Sequence, residues 1–145
     1  MKYYITGVRR GLGKALSEKY NTVDNLNDCD VFINCKHKGF EQVDLLYQAA
    51  ELNKRIINIG SNSPDETKRS KSIYAVEKSA LDKANHQLFY QGVNTTNVRF
   101  GYFDSPRVAH VDKKKMSIEY CVSIIDWIMQ QPHRVKEITI TPSKD

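Results

Sequence analysis

The stretch Ile5-Thr6-Gly7-Val8-Arg9-Arg10-Gly11-Leu12-Gly13 constrains the fold more than any other part of the chain. Its glycines follow an apolar run, residues 2–6, that reads as a strand, and they open a short helical pattern over 13–20. Glycine between a strand and a helix permits backbone conformations and close approaches that a Cβ forbids. It also leaves the first N–H groups of the helix open to an anion such as a pyrophosphate. The loop is not a P-loop, because Gly13-Lys14 is followed by Ala15 and not by Ser or Thr. It also differs from G-x-G-x-x-G, since the wider gap comes first. What points to a dinucleotide is its place between the first strand and the first helix.

The rest of the chain repeats the same alternation. Strands are expected over 30–35, 55–60, 95–100 and 135–141, and helices over 41–52, 72–90 and 116–131. Gly92 and Pro132 punctuate the last two helices. Strand, helix, strand, helix implies an α/β fold, a doubly wound parallel sheet with helices on both faces and right-handed crossovers. The segment 21–28 holds either a vestigial strand, Thr22 to Asp24, or only a loop. No repeat or linker divides the 145 residues, so one domain, 1–145, is expected.

Composition excludes several classes. No apolar run approaches the roughly 20 residues of a membrane-spanning helix. Three cysteines, Cys29, Cys35 and Cys121, without metal spacing favour reduced thiols and a cytoplasmic setting. The net charge of +5 admits a phosphate-bearing partner. Lys113-Lys114-Lys115 has the form of a solvated loop, and no nucleic-acid motif accompanies it. His37, between two lysines, reads as a solvated loop residue.

Of the eight tyrosines, only Tyr74 has a lysine, Lys78, at the fourth position after it. On a helix the two share a face. Thirteen residues ahead of Tyr74, Ser61 follows the run that ends in Gly60.

In this order and spacing the chain resembles the short-chain dehydrogenase/reductase family. Thr6-Gly7-x-x-x-Gly11-x-Gly13 fits its glycine loop, and Asn34 fits the first position of its Asn-Asn-Ala-Gly segment. Ser61 fits the catalytic serine, and Tyr74-x-x-x-Lys78 the tyrosine–lysine signature. Asn97–Gly101 sits where the family has a proline-glycine turn, with Phe100 for the proline. The resemblance implies a Rossmann-like fold and an NAD(P)-dependent oxidoreductase acting on a carbonyl or alcohol. It implies Ser61, Tyr74 and Lys78 as catalytic residues. It implies cofactor contacts at Thr6, Gly7, Arg9, Arg10, Gly11, Leu12, Gly13, Asn34, Lys78 and Gly101, and at Asp24 if the vestigial strand forms.

The chemistry agrees with those residue types. A tyrosine hydroxyl can give a proton to a developing alkoxide, and a nearby ammonium favours its phenolate. Ser61 would hydrogen-bond the substrate oxygen. Arg9 and Arg10 tilt the expected cofactor to NADP over NAD, whereas Asp24 argues for NAD.

The departures from the family are equally legible. Only about ten residues separate the first helix from the second strand, where the family places two strands and two helices that shape the adenine pocket. The sheet is therefore expected to be truncated on that side, with five to six strands. The lid after Gly101 is short. Helix 41–52 lacks the family's catalytic asparagine. A homodimer or homotetramer is expected through helices 41–52 and 72–90, which carry Leu45, Leu46, Leu81, Leu88 and Phe89. The competing readings are a dinucleotide-binding sensor or scaffold without redox turnover, and a basic protein for nucleic acid.

Overall fold

The computed structural model describes residues 1–66 and 71–144. Five strands form one parallel sheet: β1 (Tyr3–Ile5), β2 (Val31–Asn34), β3 (Arg55–Ser61), β4 (Thr95–Phe100) and β5 (Glu137–Ile140). Their spatial order is their sequence order. The connecting helices are α1 (Gly11–Lys19), α2 (Glu41–Glu51), α3 (Ile73–Tyr90) and α4 (Ile118–Met129).

Strand periodicity divides the core into two faces. Val31, Ile33, Ile57, Ile59, Val98 and Phe100 pack with Leu12 and Leu16 of α1 and with Cys121, Ile125 and Ile128 of α4. Phe32 and Ile56 point the other way and meet Leu46 and Ala49 of α2 and Leu81, Ala84 and Leu88 of α3. Each central strand is covered on both sides, which explains its nearly continuous apolar runs.

This arrangement corrects the expectation of uniform right-handed crossovers. The steps β2 to β3, β3 to β4 and β4 to β5 all move the same way across the sheet. Helices α2 and α3 lie on one face and α4 on the other. The β4–α4–β5 crossover therefore has the opposite hand to the two before it.

The vestigial strand shrinks to a single bridge. Thr22 pairs in parallel with Tyr3 at the free edge of β1. Tyr3 N–H donates to Asn21 O (2.9 Å), and Val23 N–H to Tyr3 O (2.9 Å). Val23, Leu26 and Cys29 then pack with the α2/α3 core. Residues 23–29 thus lead the chain from the edge of β1 back to β2 across that face.

A row of asparagines crosses the same face. Asn34, Asn58 and Asn97 are partners in register on β2, β3 and β4. Asn34 Nδ2 donates to Asn58 Oδ1 (3.0 Å), and Asn58 Nδ2 to Asn85 Oδ1 (3.1 Å) and Thr95 Oγ1 (3.1 Å). Asn97 Nδ2 donates to Asp82 on α3 (2.7 Å). All three strand asparagines are fully buried.

Candidate active site

The C-terminal ends of β1, β2, β3 and β4 open onto two adjoining cavities. One, of about 350 Å³, is walled by Ser61, Ser63, Tyr102, Val108 and His110 among others. The second, of about 550 Å³, runs along the glycine loop past Lys36 and His37 to Lys78. Gly60, Tyr74, Phe103, Ser105 and Arg107 line both, so Tyr74 stands at their junction.

Tyr74 is placed there by the start of α3. Ser72 caps that helix, its side chain accepting from Ala75 N–H. Tyr74 falls in the first turn and Lys78 one turn later. Lys78 is only 3% exposed. Its Nζ donates to Gln42 Oε1 (2.7 Å) and Ile59 O (3.0 Å) and lies 5.6 Å from the Tyr74 ring centroid. Burial lowers the Lys78 pKa from 10.5 to about 8. Cys35 opposes that shift, Arg107 adds to it, and Asp82 and Glu77 oppose it.

Ser61 is the last residue of β3 and 7% exposed. Its Oγ accepts from Ser63 N–H (3.0 Å), which leaves its own proton to donate elsewhere.

Three residues that sequence reasoning missed complete the surroundings. Gln42 of α2 carries Lys78. Its Nε2 also donates to Asn34 O (2.8 Å) and Ile59 O (3.1 Å), so the amide is fully used. The signal lay in spacing: Gln42, Leu46 and Ala49 are the buried positions of α2, and a glutamine in that stripe needs a polar partner. His37 is not a solvated loop residue. Its ring meets Tyr74 edge-on at 4.7 Å between centroids, and Nε2 lies 3.4 Å from Glu77 Oε1. Burial, then Lys78 and Arg107, lower its pKa, so the neutral imidazole is favoured. Arg107 comes from the excursion after β4, with its Cζ 4.1 Å from the Tyr74 ring centroid.

The glycine loop is shaped by close approach. Gly7 has φ +73, and a Cβ on Gly13 would collide with the Gly7 carbonyl oxygen. Helix α1 begins at Gly11, two residues earlier than its sequence pattern suggests, and has no side-chain cap and no acidic residue in its first turn. Its leading N–H groups therefore face the cleft with the positive end of the helix dipole uncompensated. Arg9 and Arg10 line the cleft, are exposed, and have no carboxylate partner among the described residues. Leu12 lines it too, although its side chain belongs to the core.

Four expected cofactor residues lie elsewhere. Thr6 is absent from the cleft lining; its Oγ1 accepts from Cys35 N–H (2.9 Å) and Lys36 N–H (3.0 Å), tying the end of β1 to the end of β2. Asn34 is buried beneath the cleft floor, donating to Gln42 O (2.8 Å). Gly101 lines the smaller pocket only. Asp24 is exposed and lines neither cavity, because its strand ended at the Thr22 bridge.

The fold is shared with solved dehydrogenase structures at low sequence identity. A 4-hydroxyisoleucine dehydrogenase mutant complexed with NADH and succinate superposes with TM-score 0.75 at 14% identity, over 99% of this chain and 98% of that one. A serine dehydrogenase complexed with NADP+ gives 0.74 at 12% identity over 97% and 94%. A short chain dehydrogenase from Burkholderia cenocepacia J2315 in complex with NADP gives 0.72 at 14% identity over 99% and 88%. No protein-family model and no curated protein matches the chain.

Proposed function

We propose that this protein is an NAD(P)-dependent oxidoreductase of the short-chain dehydrogenase type, moving hydride between a nicotinamide and a carbonyl or alcohol. The observation that carries the reading is Tyr74 at the junction of the two cavities, with Ser61 in one and Lys78 behind it in the other. The residues present fit a dinucleotide. The cleft follows a glycine turn that tolerates no Cβ at Gly13, ends on an uncapped helix N-terminus, and carries two arginines with no carboxylate partner among the described residues. When bound, the nicotinamide supplies or accepts the hydride.

The chain's own residues would do the rest. Ser61 Oγ hydrogen-bonds the substrate oxygen, and the Tyr74 hydroxyl gives its proton as negative charge grows there. Lys78 adds positive potential beneath the ring. Arg9 and Arg10 favour a 2′-phosphate, and Asp24 lines neither cavity, so NADP(H) is the preferred cofactor. Neighbours in fold are complexed with NADH in some cases and with NADP or NADP+ in others.

Separate calorimetric titrations with NADPH and NADH test the proposal. Micromolar binding, tighter for NADPH, supports it; no binding by well-folded protein refutes it. A second reading, a dinucleotide sensor without turnover, is favoured by one observation: both hydrogen bonds of Lys78 point into the protein, toward Gln42 and Ile59. Tyr74→Phe separates the two. Loss of turnover by about 10²–10⁴-fold with dinucleotide binding intact supports the enzyme.

The proposed assembly is a homodimer or homotetramer through α2 and α3. Leu46, Leu81 and Leu88 are used up against the protein's own sheet. The apolar surface left on these helices comes from Tyr47, Ile73, Val76 and Tyr90 instead. A monomeric mass at micromolar concentration counts against this assembly.

A further inference from the structure

Arg107 stands where a guanidinium has no evident structural duty. It rides on a short 3-10 turn, Pro106–Val108, in the excursion between Asp104 and Met116. That excursion is closed at its base by Asp104 N–H donating to Met116 O (2.8 Å) and Met116 N–H to Tyr102 O (2.9 Å). Its tip leans on the glycine loop: Pro106 and Ser105 lie 3.7 and 3.8 Å from where a Gly11 Cβ would be. Arg107 is thereby suspended over the Tyr74 ring.

Stacking uses the face of a guanidinium and leaves its edge free. The edge carries five N–H donors in a fixed fork that matches a carboxylate in two parallel hydrogen bonds. Among the described residues Arg107 has no carboxylate within ion-pair distance and donates to no protein acceptor. Arg107 lines both the glycine-loop cleft and, beside it, the pocket of about 350 Å³ that also holds Ser61 and Tyr74. Apolar Phe103, Val108 and Val111 form much of the remaining wall, and His110 adds a second basic group. One carboxylate, Glu66, also stands on that wall and is engaged in an interaction of its own.

We propose that the substrate is a small carbonyl or alcohol bearing a carboxylate, and that Arg107 is the residue that binds this carboxylate beside Tyr74. The inference rests on the oxidoreductase reading for the words carbonyl and alcohol, but the anion site itself does not. Arg107 stands beside Tyr74, while Arg9 and Arg10 stand on the glycine loop itself, so dinucleotide phosphates would have two other arginines to meet.

The test uses butyrate and its neutral isostere butyramide, titrated into ¹⁵N-labelled full-length protein at constant ionic strength. The readout is the Arg107 Nε–H resonance, assigned with Arg107→Gln. Butyrate is expected to shift it saturably. Butyramide should bind about tenfold or more weakly, as should butyrate to Arg107→Gln followed through the Tyr74 ring signals, the size of a lost charge-assisted hydrogen bond. Butyrate binding is read without dinucleotide and without turnover, so failure of the redox reading leaves this result standing. Equal binding of butyrate and butyramide overturns the proposal, as does unchanged butyrate affinity in Arg107→Gln. Loss of NADPH affinity in Arg107→Gln with butyrate binding intact also overturns it, by assigning the arginine to the cofactor.

Discussion

Replacing Lys78 with methionine removes a buried ammonium while keeping most of its volume. The folded side chain titrates near 8, the unfolded one near 10.5. Below about 8 both states are charged, and the fold carries the full cost of burying the ammonium. Between the two values the unfolded chain holds a proton that the folded chain has released, so stability rises with pH across that window. Integrating from pH 7 to pH 9.5 gives the wild type a gain of about 2 kcal/mol from this one group. Lys78→Met has no such gain. Its loss of a donor to Gln42 Oε1 and Ile59 O is the same at both pH values and cancels in the comparison. The Cys35 thiol, pushed up to about 11 mainly by burial, remains protonated throughout. The assay is urea unfolding of both proteins at the two pH values, read as the difference of differences. Parallel pH dependence in the two proteins would refute the argument, since Lys78 would then titrate alike in both states.

Other residues give sharper local tests. Gln42→Leu leaves Lys78 with Ile59 O as its remaining acceptor; stability should fall by about 1–3 kcal/mol and the Lys78 pKa should drop below its present value, followed by ¹³C NMR of the lysine Cε. An unchanged midpoint would show that the glutamine does not hold the charge. Gly13→Ala should cost about 1–3 kcal/mol in thermal or urea unfolding, because the methyl meets the Gly7 carbonyl, and should weaken dinucleotide binding; wild-type stability and affinity would contradict the close-approach argument. Ser61→Ala should lower turnover by about a hundredfold with NADPH affinity unchanged, and an equal loss of affinity would place Ser61 in the cofactor site instead.

The sheet and its helices were legible because each element carries its own periodicity. Val31 to Asn34 and Arg55 to Ser61 are apolar runs that a parallel strand covered on both faces requires. The start of α1 was read two residues late, since Gly11 and Leu12 look like loop until Gly7 and Gly11 take positive φ. The hand of the last crossover was invisible, because it depends on which face α4 covers, and amphipathic spacing does not name a face. At the candidate site, the shared helix face of Tyr74 and Lys78 was legible from their spacing, and Ser61 came with them through the family resemblance; Ser61 and Tyr74 line one cavity, Tyr74 and Lys78 the other. His37 and Arg107 were not legible: they reach Tyr74 from the ends of two other strands, across 37 and 33 positions of chain. Asp24 lines neither cavity: its expected place depended on a strand, and the hydrogen bonds to one residue, Tyr3, do not extend a strand that far.

The row of asparagines has a consequence for how the strands find one another. β2, β3 and β4 are similar apolar ribbons, and apolar contacts alone discriminate poorly between pairings offset along the strand. An offset of one residue would turn Asn34 toward the face where Ile57 and Ile59 pack, stranding its amide at about 1–3 kcal/mol. An offset of two would keep the faces but set Asn34 opposite Ile56 or Gly60, away from Asn58. Only the native alignment lets the Asn34 amide meet that of Asn58; Asn97, next in the row, donates to Asp82 of α3 instead. Residues 34 and 58 thus act as index marks, by which two interchangeable strands are brought to a single alignment and the ends of β2 and β3 come level where the two cavities open.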